Sequence, residues 1–209
     1  PVDPTPTPVD PTPTPVEPVG KALTKTPTPK VSGTAKVGRT LKVKAGAWKP
    51  GKVKLAYQWL RDGEPIAKAT KTKYKLTKAD AGRKVTVRVT GSRSGYVSVA
   101  KTSKARQVAK VKATVTLKVP SRVARDAPAT VRVTVAAAVR QPTGTVRVTV
   151  NGKVVTAELA VVDNGRVQVV LPVVGRKGRF TVKASFVPSG ETAVSTVKSK
   201  TVGKKLRVR

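Results

Sequence analysis

The 209-residue chain contains no cysteine, no methionine and no histidine. It can therefore form no disulfide, offers no thiolate or imidazole to a metal, and lacks the usual general base of hydrolytic catalysis. Aromatic residues make up only 3% of the chain, so any core must be built from Val, Ala and Leu rather than from rings. That composition suits thin β-sandwiches whose strands bury one face. The longest apolar stretch, residues 169–174, is short and interrupted by Pro172. It falls well below the ~18 residues a membrane-spanning helix needs, and no membrane insertion is expected. Negative charge is also scarce: 10 Asp and Glu face 43 Lys and Arg, a formal net charge of +33.

What is present begins with a compositional repeat. Pro1-Val2-Asp3-Pro4-Thr5-Pro6-Thr7 recurs as Pro8-Val9-Asp10-Pro11-Thr12-Pro13-Thr14, and a third copy starts at Pro15. Proline at nearly every second position excludes helix and central strand and favours an extended polyproline II spacer. Residues 1–28 are accordingly expected to be a disordered Pro/Thr-rich linker, able to hold its ends roughly 80 Å apart. The start at Pro1, with no Met or leader, reads as an excised C-terminal part of a larger secreted polypeptide whose upstream domain is a partner.

Beyond the linker, apolar and polar residues alternate in short runs. Leu41, Val43 and Ala45 alternate with lysines; so do Val53, Leu55, Tyr57 and Trp59, and then Val85, Val87 and Val89 with Lys84 and Arg88. A period of two with one apolar face marks half-buried strands. Pro50-Gly51, Asp62-Gly63 and Asp80-Ala81-Gly82 separate these runs with turn-forming residues. From Lys110 onward the pattern repeats through Val111 to Val119, Ala129 to Val135, Val146 to Val150, Val167 to Leu171 and Phe180 to Phe186, with Asn151-Gly152 as a strong hairpin signal. The expected fold is all-β, two tandem immunoglobulin-like antiparallel β-sandwiches over residues 29–109 and 110–203, followed by a basic tail at 204–209. The chain is expected to be monomeric.

The first block carries Val37-Gly38-Arg39-Thr40-Leu41, Gly46-Ala47-Trp48, Tyr57-Gln58-Trp59-Leu60-Arg61-Asp62-Gly63, Asp80-Ala81-Gly82 and Gly95-Tyr96. Through these it resembles an immunoglobulin-like repeat of secreted and surface proteins of Gram-positive bacteria. The second block, through Pro142-Thr143-Gly144-Thr145-Val146, Asn151-Gly152, Asp163-Asn164-Gly165 and Gly178-Arg179-Phe180-Thr181-Val182, is similar to bacterial Ig-like domains of the group-3 type, with Phe186 where Tyr is expected. The resemblance implies spacing and presentation, a central core role for Trp59, and extracellular or cell-surface placement. Fold analogy alone assigns no ligand.

No carboxylate arrangement points to catalysis. Asp62 and Glu64 sit two apart on a turn, Asp163-Asn164-Gly165 supplies too few oxygens for calcium, and Asp80 is expected to bond its own corner backbone. Neither a Gly-x-Ser-x-Gly elbow nor a phosphate loop occurs, and no enzyme activity, metal or cofactor is expected. Trp48, in a loop beside Lys49 and Lys52, is either a partly exposed stacking ring or a plug closing one end of a sandwich.

Charge is the remaining signal. Residues 30–109 hold 21 basic and 3 acidic residues, and residues 110–209 hold 20 and 4. Strand phase points Lys52, Lys54, Lys84 and Arg88 outward on one module and Lys110, Lys112, Lys118 and Arg132 on the other, with Lys204, Lys205, Arg207 and Arg209 in the tail. Such density implies weak, salt-sensitive association with an anionic cell-envelope polymer or other polyanion such as acidic polysaccharide or nucleic acid. The sequence also leaves open a plain spacer whose charge keeps it dissolved, an accessory region of a secreted nuclease, nucleotidase or protease that aids substrate capture, and a protein-binding adhesin module.

Overall fold

The computed structural model describes residues 20–209. The proline repeat expected to form the extended spacer lies outside them up to residue 19. Strands dominate: β1 (Lys30–Ser32), β2 (Thr40–Lys44), β3 (Lys54–Arg61), β4 (Glu64–Pro65), β5 (Lys73–Lys75), β6 (Lys84–Ser92), β7 (Val99–Thr102) and β8 (Arg106–Gln107) come first. They form a three-stranded sheet, β1-β2-β5, and a larger sheet, β4-β3-β6-β7, with β8 also on β6. Inward residues of both sheets share one hydrophobic cluster that includes Leu41, Trp59, Leu76, Val85, Val87 and Val89.

The pattern repeats with β9 (Val111–Lys112), β10 (Thr114–Lys118), β11 (Arg122–Val123), β12 (Ala129–Ala136), β13 (Gly144–Val150), β14 (Lys153–Leu159), β15 (Arg166–Leu171) and β16 (Gly178–Pro188), then the short helix α1 (Gly190–Ser195), β17 (Thr196–Val197) and β18 (Val202–Val208). Sheets β10-β12-β15 and β11-β18-β16-β13-β14 close over a second cluster rich in valine, with Phe186 fully buried in it. Pairing is antiparallel apart from two short parallel contacts, β11 with β18 and β9 with β17. Asn151-Gly152, at φ 48° and 77°, makes the two-residue turn that joins β13 to β14. Glycine and asparagine tolerate that left-handed geometry, which is why the dipeptide marks the hairpin so strongly.

Two boundaries differ from those expected. Residues 20–28 do not all belong to the spacer: Leu23 is 9% exposed in the first core, and the Lys21 and Thr24 N–H groups donate to the Gly95 and Lys49 carbonyls at 2.9 and 3.0 Å. Between Pro18 and Pro27 the chain has no proline, so its N–H groups are available for such pairing. At the other end, residues 204–209 are no tail. They belong mostly to β18, which runs between β11 and β16 with Leu206 and Val208 buried.

The join at Lys110 is direct. Val108, packed in the first core, exchanges backbone hydrogen bonds with Gly82 and Arg83. Across the join, Arg83 pairs with Glu191 at 2.7 Å and the Lys110 ammonium donates to the Ala193 carbonyl at 2.7 Å. Gly82, at φ 69°, faces the Val194 carbonyl so closely that a Cβ there would overlap it. Asp80, in the same corner, is fully buried. Its Oδ1 accepts from Arg61 Nε at 2.8 Å; its Oδ2 accepts from Tyr74 OH at 2.9 Å and from the Thr77 N–H and hydroxyl at 2.7 and 2.9 Å. The expected bond to local backbone is there, with two partners from other strands besides. Tyr74 also stacks on Trp59, centroids 5.6 Å apart, so the network ties β5 to β3 across the core. Burial, and then its bond to Asp80, push the Tyr74 hydroxyl above its ordinary value of 10.0.

Replacing Asp80 by alanine strips four donors of their acceptor and leaves Arg61 without its partner. The expected cost is about 3 kcal/mol in chemical denaturation, and a loss below a few tenths of that would contradict the role given to Asp80. Because the folded state holds the Tyr74 proton more tightly, its stabilisation is complete below pH 10 and declines as pH rises above that value. Thermal scans from about pH 9 to 11.5 should show a steeper decline for the native chain than for Tyr74→Phe; parallel curves would refute the linkage.

Candidate functional site

Alternation in β2 turns Leu41 and Val43 inward and Lys42 and Lys44 outward, and β5 turns Tyr74 inward and Lys73 and Lys75 outward. Register then sets Lys30 opposite Lys44, Lys42 opposite Lys73, and Lys75 opposite Thr40. Five exposed lysines thus occupy one face of a three-stranded sheet. Like charges directly across a strand pair oppose sheet formation, so this face is an electrostatic cost the fold carries.

The lysines singled out from sequence lie on the other sheet. Lys54 faces Ser92 and Arg88 faces Gln58, while Lys84 sits at the far end, its N–H bonded to Asp62 Oδ1 at 2.8 Å. Lys54, Arg88 and Lys84 share the outward side, but successive cations are about 13 Å apart along it. Lys52 is not on the strand at all: it lies in the preceding loop with φ 60°. Alternation revealed which way Lys42 and Lys44 point; only pairing with Lys30 and Lys73 shows that they cluster.

On the second sandwich, Lys118 and Arg132 stand directly opposite each other, Gln168 faces Arg132, and Arg166 faces Thr134. These side chains and Asp163 line an open trough of roughly 690 Å³. Lys110 is engaged with Ala193, and Lys112 lies on β9, which pairs with β17 and not with β10 or β12. Within 204–209, β18 turns Lys205 and Arg207 outward, and Lys204 and Arg209 are also exposed. Arg207 stands between Arg122 on β11 and Arg179 on β16, two residues that the sequence reading did not select. Arg122 could not be foreseen, since β11 is a two-residue strand and its pairing is parallel; Arg179 precedes the expected strand, and only its pairing with β18 brings it beside Arg207.

Of the two roles the sequence leaves open for Trp48, the buried plug is the one it takes. It is 7% exposed and belongs to the first core, its Nε1 donating to the Ala45 carbonyl at 3.2 Å. Gly46, at φ 78°, turns the chain back, and Gly91 leaves a slot in β6 in which a Cβ would lie 2.5 Å from the ring. Trp48 is therefore a plug and presents no stacking surface. Asp163 Oδ2 accepts from the nearby Ala160 N–H at 2.7 Å, and Asp62 bonds Lys84 and Arg83. Among the described residues no group of three or more His, Cys, Asp or Glu could hold a metal, and every buried side-chain nitrogen and oxygen has a hydrogen-bond partner.

No protein-family model and no curated protein matches the chain. Among solved structures it is similar to a Ca2+-stabilised adhesin with which an Antarctic bacterium binds ice, at TM-score 0.33 and 14% identity over 87% of this chain and 48% of that one. It is similar also to a 1.5-MDa bacterial ice-binding adhesin, at 0.37 and 15% over 84% and 60%. A third is the FN1–FN3 region of chicken CNTN1, at 0.30 and 14% over 90% and 69%. The chain thus spans about half to three fifths of the two adhesin structures. Likenesses this loose add nothing to the architecture read from the sheets themselves.

Proposed function

We propose that this chain is a non-catalytic part of a larger secreted protein, two β-sandwich domains that associate with an anionic envelope polymer through their outward cationic faces. In this reading the proline repeat is a spacer toward an upstream domain, the first domain ends near residue 109, and the second runs from 110 to the C-terminus. The observation that carries it is the side-by-side setting of like charges: Lys30 with Lys44, Lys42 with Lys73, Lys118 with Arg132, and Arg179 with Arg207. Charge needed only to keep the chain dissolved would be served as well by dispersed cations, without cross-strand repulsion. A polyanion laid across such rows removes the repulsion and releases its own counter-ions.

Retention of the chain on immobilised dextran sulfate, against neutral dextran, tests this. With five contacts, each adding about 0.7 to the salt slope, affinity should fall roughly a hundredfold between about 50 and 200 mM salt. Equal retention on the two matrices, or binding indifferent to salt, would contradict the proposal.

A further inference from the structure

Resting on that electrostatic reading, we infer that the outer face of sheet β11-β18-β16-β13-β14 is a specific seat for a linear phosphodiester polymer. The arginine row Arg122, Arg207 and Arg179 grips one phosphate, and Lys205, Lys183 and Arg147 guide the chain onward.

The register builds the row. Arg122 pairs with Arg207 across the parallel contact, and Arg179 pairs with Arg207 across the antiparallel one. Three guanidinium stems therefore stand on adjacent strands about 4.8 Å apart. Two residues further along, Lys205 lies beside Thr181 and donates to its hydroxyl at 2.9 Å. Lys183 follows, flanked by Gly203 and Thr149, and then Arg147, facing Ser185. The six cations are exposed and run diagonally for about 20 Å. The outward positions between them are Gly, Ser and Thr, which leave the cationic heads accessible.

Among the described residues no ion pair neutralises this face. The ion pairs among the described residues are Arg61–Asp80, Arg83–Asp62 and Arg83–Glu191, all elsewhere. The first carboxylate in the sheet's outward register is Glu158 on edge strand β14, beyond the last cation and hydrogen-bonded by Thr145.

Geometry then selects the ligand. A carboxylate and a phosphodiester each present two anionic oxygens that guanidinium forks engage. The phosphodiester carries its charge in the polymer backbone itself, whereas the carboxylates of an acidic polysaccharide hang from its rings, so a narrow row of forks and ammonium groups follows the backbone charge. Phosphate held in a linear polymer suits cations set in a line. Among phosphodiester polymers nucleic acid gains nothing from its bases here, because stacking them on a sheet needs outward aromatic platforms. On this sheet Phe180 and Phe186 both lie in the inward phase, Phe186 fully buried.

The test compares the native chain with R122Q/R179Q/R207Q and with K54Q/K84Q/R88Q, which removes the same charge from the dispersed face. Binding to a synthetic poly(glycerol phosphate) chain is measured across salt concentrations, with polygalacturonate and single-stranded DNA as rival ligands. The arginine-row variant should lose about tenfold more affinity than the dispersed variant, and its salt slope should flatten by about 0.7, for the one phosphate the row grips. Its thermal midpoint should not fall, since the substitutions relieve opposed like charges; this separates lost binding from lost folding. Equal losses in the two variants would overturn the site while leaving the general reading intact. A native chain that ignores poly(glycerol phosphate) and dextran sulfate alike at low salt would overturn both. Polygalacturonate bound as tightly as poly(glycerol phosphate) would overturn the phosphate assignment, and tighter binding of DNA would move the site to nucleic acid.

Discussion

Each long strand of this protein must bury one row of small aliphatic side chains against a facing sheet, and the outward row is what remains. With 43 basic and 10 acidic residues to place, those outward rows become cationic. Magnitudes decide why the fold tolerates this. Full burial of a valine is worth about 1.5 kcal/mol or more, whereas a like-charge pair across strands costs at most about 1 kcal/mol. Val131, Val133, Val146, Val148 and Val182 are each no more than 1% exposed. Arg132 on β12, Arg147 on β13 and Lys183 on β16 are therefore flanked in sequence by residues whose burial outweighs the repulsion each brings.

That same constraint explains what could be read in advance. Period-two alternation located most long strands, and Asp62-Gly63 and Asn151-Gly152 located their hairpins, because both signals live within a few residues. Trp59 ends an alternating run, the resemblance to immunoglobulin-like repeats implies its core role, and it is fully buried. Features made by partners distant in sequence were not legible. Asp80 bonds Arg61 and Tyr74 as well as its own corner; Trp48 finds a slot that exists only because Gly91 is on a neighbouring strand. Residues 204–209 read as a tail because four of six are basic, although Leu206 and Val208 keep the two-residue phase of a buried strand. The cationic faces belong to the same class: alternation told which way a lysine points, and strand pairing told which other lysine it meets.

The junction adds a geometric consequence. The Asp80–Arg83 corner of the first sandwich closes its own core through Asp80 and meets helix α1 of the second through Gly82 and Arg83. Lys110 reaches the same helix from the connecting segment. One corner thus serves internal cohesion and contact across the join, with no intervening linker. A polymer that engages the lysine face of the first sandwich and the arginine row of the second would meet surfaces tied together by these bonds.

On the proposed reading, clustering of cations by register, rather than total charge, governs how this protein meets a polyanion. Lysine acetylation footprinting with and without poly(glycerol phosphate), read residue by residue, tests it most directly. Lys42, Lys44 and Lys73 on the first sandwich and Lys183 and Lys205 on the second should be protected well beyond the dispersed Lys54 and Lys84. Uniform protection across all of these lysines would contradict the account.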